Sequence, residues 1–388
     1  MSTSYPTLMR SDLRAVLEAG PFAPSERGYS FESEVLVRRD NAGAVVPAWD
    51  DDVEQLGAVR AALATLEGLS IAARGVARIQ SVEHESPVGA FESFALRSQA
   101  LAERVAAWGM ELVACGSDPW AAQGRSLDAV LRVPFGSPAS APQRWAAAQA
   151  LAPLSEAIFA CSPLREQSSQ GARSLGAAQR RAERTRGFMR TDSTATLERF
   201  LDWALEAPVR EERSFREWFE RGENGRWPDR ADFAAHVASL RAHVLPAGGL
   251  SLRAFDAPPF EFACVPLIWW SVLLDDTACL RELSQWAPPT VARLEVASNA
   301  ALTDPELAAQ ARRSFALVAE RLLDRPGRYA TPQMLASFVA FAERFALRGR
   351  TPADEWLARF ARRGRFSLSD WVELRAHWRA ASLARSAA

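Results

Sequence analysis

Between Tyr29 and Arg39 the side chains alternate, with Phe31, Ser33, Val35 and Val37 on one side and Ser30, Glu32, Glu34 and Leu36 on the other. A period of two is wrong for a helix and predicts a β-strand with one apolar face. The opposite face then carries two carboxylates side by side. Like charges so placed repel unless solvent or a cation intervenes. Two readings follow: a solvated strand edge, or a strand whose acidic face lines a cleft. In the second, converging carboxylates suit Mg²⁺, a hard cation that takes oxygen ligands and bridges to phosphates.

Around this strand the first third mixes both kinds of signal. Gly57 to Leu69 and Ser98 to Ala114 read as amphipathic helices, and Ala129 to Phe135 as a short strand. Helix follows from Ala141 to Phe159, then a loop near Ser168 to Gly171 and an arginine-dense run from Arg173 to Arg190. Helices are expected at Ala195 to Leu205, near Ser214 to Glu220 and at Asp232 to Leu240, with a strand at Leu250 to Phe255. The remainder is nearly all helix, with Thr303-Asp304-Pro305 and Thr351-Pro352 supplying caps and first-turn prolines. No repeat of twenty to fifty residues and no long Pro/Gly/Ser linker divides the sequence. We read residues 1–388 as a single α+β domain, with 295–388 a mostly helical C-terminal part.

Several functions are excluded. All 46 fixed basic residues are arginine, since the sequence has no lysine. A P-loop, a protein-kinase strand lysine and Schiff-base chemistry are therefore ruled out. The net charge of −1 lacks the basic excess of a nucleic-acid binder. Phe262 to Leu274, the longest apolar run, is too short for a bilayer and contains Pro266. The N-terminus has no secretory pattern, and Cys115, Cys161, Cys264 and Cys279 have neither metal-ligand nor disulfide spacing. A cytoplasmic, thiol-reduced protein is expected. The histidines His84, His236, His243 and His377 are dispersed, and no HExxH or GxSxG motif occurs. Glu83 and Glu92 flank a turn expected at Pro87 and Gly89, and on their own read as surface residues. Trp269-Trp270 reads as core.

A set of short segments, in order from about residue 28 to 358, resembles the glutamate–cysteine ligases of the bacterial ergothioneine pathway. They are Ser30-Phe-Glu-Ser-Glu-Val-Leu-Val, Val82-Glu83 with Gly89-Ala-Phe-Glu92-Ser93, Cys115-Gly-Ser-Asp118-Pro119, and Arg144-Trp145 with Phe159-Ala-Cys-Ser162-Pro163. Further on come Ala204-Leu205-Glu-Ala207-Pro208-Val209, Leu252-Arg253-Ala-Phe-Asp256-Ala, Leu273-Leu274-Asp275-Asp276, and Phe341-Ala-Glu343-Arg344-Phe with Arg348-Gly349-Arg350-x-Pro352-Ala353-Asp354. The resemblance implies a curved, mainly antiparallel sheet forming a cleft, packed with helices in the manner of glutamine synthetase. It implies a reaction too: ATP phosphorylates a carboxylate, and an amine attacks the acyl phosphate to form an amide. The substrates would be small amino acids, with ATP and Mg²⁺ as cofactors and no nucleic-acid or membrane partner. Carried over by position, Glu32, Glu34, Glu83 and Glu92 become candidate Mg²⁺–ATP ligands or substrate contacts, with Glu32 also catalytic. Arg253 becomes a catalytic phosphate or carboxylate clamp, a role its planar fork suits. Glu34, Arg173 and Arg132 become contacts to the nucleotide.

The pattern breaks in three places. A family strand of Val-Gln-Val-Asn type reads Leu131-Arg132-Val133-Pro134 here, and Glu-x-Arg reads Ser251-Leu252-Arg253. The Gly-Gly-Gln approach to Glu92 reads Val88-Gly89-Ala90. One metal carboxylate is lost and one arginine gained, a shift of about two charges toward positive. Three readings stand open: a ligase for another carboxylate and amine, the standard reaction with a remodelled metal site, or a non-catalytic homologue that binds or regulates.

Overall fold

A computed structural model describes residues 8–22, 28–41, 44–48, 61, 63, 65–72, 75–120, 127, 129–137, 140–165, 168–169, 172–176, 178, 197–210, 213–223, 225–240, 242–286 and 293–386. The expected strand at Tyr29 to Arg39 is β1, Ser30–Asn41. It organises an antiparallel sheet that numbers eight strands among the described residues. The others are β2 (Ala44–Pro47), β3 (Leu69–Ala72), β4 (Val76–Gln80), β5 (Glu111–Val113), β6 (Ala129–Val133), β11 (Val244–Pro246) and β12 (Leu250–Leu252), in the order β11-β12-β6-β1-β4-β3, with β2 and β5 also paired to β1. Two small hairpins, β7–β8 (Leu164–Arg165, Ser168–Ser169) and β9–β10 (Pro208–Arg210, Arg213–Ser214), complete the strands. The mixed α+β class and the antiparallel sheet are as expected. Of the helix expected at Gly57 to Leu69, residues 57–60, 62 and 64 lie outside the described residues, and its end is corrected: 65–68 form a turn and Leu69 opens strand β3. Most of the arginine-dense run after Arg173 also lies outside the described residues.

The apolar positions of β1 form the core face of the sheet. Phe31, Val35 and Val37 are fully buried, with Ala77 and Ile79 of β4 and Leu131 and Val133 of β6 beside them. Helix α1 spans Arg10–Ala19 and helix α2 Pro87–Ala106. Phe94 of α2 meets Phe31 edge-on, ring centroids 4.6 Å apart. Helix α3 (Ala141–Ile158) is followed by α4 (Leu197–Glu206), α5 (Phe215–Arg221), α6 (Arg230–Ser239) and α7 (Cys264–Asp275). Every residue of α7 from Cys264 to Leu274 is buried, so it is apolar on all sides because it has no solvent face. Its indoles find partners inside: Trp269 Nε1 donates to Ser314 Oγ at 3.0 Å and Trp270 Nε1 to Ser155 Oγ at 3.2 Å. No single described helix is long and apolar enough to cross a membrane.

Helices α8 (Thr277–Trp286), α9 (Leu294–Asn299), α10 (Pro305–Asp324), α11 (Pro332–Arg344), α12 (Pro352–Arg363) and α13 (Leu368–Ser386) build the C-terminal part. Asp304 caps α10 by accepting from the N–H groups of Glu306 and Leu307, and Thr331 caps α11 by accepting from Met334.

Three further expectations are corrected. The helix expected at Ser98 to Ala114 ends at Ala106, and Glu111–Val113 is strand β5. Gly109, at φ +69°, turns the chain between them. The turn expected at Pro87 and Gly89 is the first turn of α2: Ser86 Oγ accepts from Gly89 N–H, and Pro87 takes the first helical position. The strand expected to reach Phe255 stops at Leu252.

Candidate active face and its loops

Opposite the core face, the alternate residues of the sheet form a polar face whose register is explicit. Ser30 of β1 stands across from Arg132 of β6, which stands across from Ser251 of β12. Glu32 faces Gln80, and Glu34 faces Arg78, both on β4. Directly paired residues in antiparallel strands share a face, so these side chains are neighbours. The row is recessed: Ser30, Ser251 and Glu34 keep 7%, 4% and 3% of their surface exposed, while Glu32 and Arg132 are partly exposed. Arg253 follows β12 on the parity of Ser251, and its N–H donates to His243 O at 2.7 Å. His243 is itself buried, its Nε2 2.9 Å from the Glu156 carboxylate.

Arg78 was not among the candidates, and it dominates this face. Its Nε lies 3.1 Å from Glu32 Oε1 and its Nη2 2.8 Å from Glu34 Oε1. The signal was present, for Ala77 and Ile79 alternate with Arg78 and Gln80 as in β1.

The four glutamates expected around Mg²⁺ are not assembled. Glu83 is exposed in the link between β4 and α2. Glu92 is exposed on α2, the helix that packs on the core face, and lines a groove of about 830 Å³ with Phe260, Met334 and Arg375. Among the described residues no three His, Cys, Asp or Glu side chains are grouped to hold a metal ion. The residues present therefore do not fit a Mg²⁺ site built on those four carboxylates. Arg173, expected at the nucleotide, donates from Nε to Asp354 Oδ1 at 2.9 Å and so ties its loop to the start of α12.

Many residues that carried the family resemblance meet in buried polar clusters. Asp256, 1% exposed, accepts from Cys161 N–H at 2.9 Å, Ser162 Oγ at 2.7 Å and Ser174 Oγ at 2.8 Å. Gly116 packs so closely that a Cβ there would lie 2.1 Å from Asp256 Oδ1. The loops after β5, α3 and β12 and the segment at Ser174 are thus fixed to one carboxylate. A second cluster joins Tyr29 Oη and the Arg144 guanidinium to Asp275, while Arg144 Nη1 donates to Pro134 O at 2.7 Å. Burial pushes the Tyr29 hydroxyl up to about 12, so it stays protonated and donates. Arg38 and Asp118 form a third buried pair. At the opening of β1 the backbone of Tyr29 bonds to His84 in both directions, at 2.6 and 2.9 Å. Gly28 permits this, because a Cβ there would lie 1.8 Å from His84 O.

A family model, glutamate–cysteine ligase family 2, matches residues 124–373. Arg132, Arg173 and Arg253 fall inside that stretch, and Glu32, Glu34, Glu83 and Glu92 fall ahead of it. Among solved structures the chain is similar to a bifunctional glutathione synthetase from Pasteurella multocida, with 11% identity and a TM-score of 0.48. That likeness covers 98% of this chain and 54% of the other, so this chain spans about half its length. No curated protein matches the sequence.

Proposed function

The chain belongs to glutamate–cysteine ligase family 2, and from that premise we propose that it joins a carboxylate to an amine at the expense of ATP, on the polar face of its sheet. The observation that supports this best is the row Ser30, Arg132 and Ser251, with Arg253 following on the same parity. It sets one guanidinium group and two hydroxyls on one recessed face, with Arg253 just beyond the end of β12. Guanidinium forks suit phosphate and carboxylate oxygens, both of which such a reaction has to hold. In the first step a carboxylate oxygen bonds to the γ-phosphorus of ATP, the bond to the β-bridging oxygen breaks, and ADP leaves. In the second, the amine nitrogen bonds to the acyl carbon, phosphate leaves with the acyl C–O pair, and the amine loses a proton. No protein nucleophile takes part. Arg132 and Arg253 would hold the anionic oxygens and offset the charge that gathers during phosphoryl transfer. Arginine is suited to this work in a chain without lysine.

The substrates we propose are small amino acids. The ergothioneine-type pair, glutamate and cysteine, is one choice, and the changes at Arg132, Pro134 and Ser251 favour another. We place the reaction in a reducing, cytoplasmic setting: all four cysteines are buried and no disulfide joins them. A second reading, a non-catalytic homologue that binds or regulates, is favoured by Arg78 bridging both glutamates.

The test is to incubate the protein with ATP, Mg²⁺ and mixed amino acids, following phosphate release and new amide masses. A ligase gives amino-acid-dependent phosphate, and Arg253→Ala lowers it by about a hundredfold. No turnover by folded protein with any mixture would sink the ligase reading and leave the binding one.

A further inference from the structure

We propose that Arg78 is the resident cation of the Glu32–Glu34 pair, and that this pair holds no divalent metal ion. The inference rests on the polar face being the reaction site. The guanidinium stands across the strand pair from Glu34 and reaches one oxygen of each carboxylate, at 2.8 and 3.1 Å. Glu34 is 3% exposed and cannot swing out to a solvent ion without leaving its place in the sheet. Arg132, opposite Ser30, is the diagonal neighbour of Glu32, at a typical separation of about 7–8 Å, somewhat less between Cβ atoms. Two carboxylates and two guanidinium groups sum to zero. A metal ion would therefore meet a neutral set in which one oxygen of each carboxylate already lies against a guanidinium, that of Glu34 accepting its hydrogen bond. Mg²⁺ demands near-octahedral oxygen ligands at roughly 2.1 Å, a shell that a guanidinium on the same oxygens crowds. Arginine keeps its charge at any working pH, so chelators cannot remove this cation. Any Mg²⁺ used in turnover then arrives on the nucleotide.

Titration with Mn²⁺ alone, without nucleotide and read by the loss of its free electron-paramagnetic-resonance signal, tests this directly. Wild type is expected to bind only at millimolar concentration or weaker, and Arg78→Gln about tenfold tighter or more. Arg78→Lys should behave as wild type, and Arg78→Gln with Glu34→Gln should lose the gain. Micromolar binding by wild type that Glu34→Gln removes would overturn the proposal, as would an Arg78→Gln protein that is folded yet binds no tighter. If Arg78→Gln does not fold, wild type and Glu32→Gln decide without nucleotide. Mn²⁺ affinities within about threefold of each other, both millimolar or weaker, support a resident arginine, and micromolar wild-type binding that Glu32→Gln weakens more than about tenfold refutes it. Failure of the ligase reading shows as absent phosphate release, a separate measurement that leaves the Mn²⁺ result legible.

Discussion

Asp256 shows what a single side chain contributes here. A buried carboxylate that accepts from one backbone N–H and two hydroxyls is stabilised by charge-assisted hydrogen bonds. Asparagine has the same shape but points an NH₂ group at one or more of those donors. Asp256→Asn should cost about 3 kcal/mol or more, read from the denaturant midpoint, whereas the exposed Glu92→Gln should change it by less than about 0.5 kcal/mol. An unchanged midpoint for Asp256→Asn would show that the cluster does not hold the loops. The same contrast explains what was readable at this scale. Asp256, Ser162, Asp118 and Arg144 stood in segments that resembled the family, yet their partners lie up to 131 residues away in sequence. A sequence displays residue types and spacing but not which side chain meets which across a fold. Glu32 and Glu34 were legible as neighbours because a strand's period fixes that locally. Arg78, which joins them from 44 residues away, was not.

At the scale of elements, legibility followed the range of the forces that decide. β1 was predicted almost to its ends because alternation is local, and the caps at Asp304, Thr331 and Thr351 are equally local signals. The start of α2 was misread because Ser-Pro-x-Gly suits both a turn and a helix N-terminus. The choice falls to helix because α2 can bury Ala90, Phe94, Ser98, Leu101 and Val105 along one stripe. Ser86 then matters as the N-cap. Ser86→Ala should destabilise the protein by about 1 kcal/mol, whereas Ser86→Asp should hold stability near wild type. Calorimetric melting of both variants checks it, and equal losses for the two would show that Ser86 acts through packing rather than by accepting from Gly89 N–H.

For the whole molecule, two features of the sequence combine into a response to alkali. Most proteins lose cationic charge between pH 9 and 12 as lysines deprotonate. This one has no lysine, and the ordinary value of arginine lies above that range, so that loss of cationic charge is absent here. The groups left to titrate are cysteine and tyrosine. Burial pushes the Cys264 and Cys279 thiols up to about 12 from an ordinary value of 9.0, and Tyr29 to about 12 from 10.0. Burial raises Cys115 and Tyr329 as well. In the folded state these groups keep their protons where the unfolded chain gives them up. Stability is therefore fully present below about pH 9, and falls as pH rises through the window up to about 12. Cys264 alone contributes on the order of 4 kcal/mol of that fall. Urea midpoints measured from pH 7 to 11 should be level to about pH 9 and then decline, and Cys264→Ala should flatten the decline while leaving the plateau lower or equal. If the variant declines as steeply as wild type, thiol ionisation is not what limits the fold in alkali. The buried tyrosines, with Tyr29 donating to Asp275 at the opening of β1, would then carry the loss.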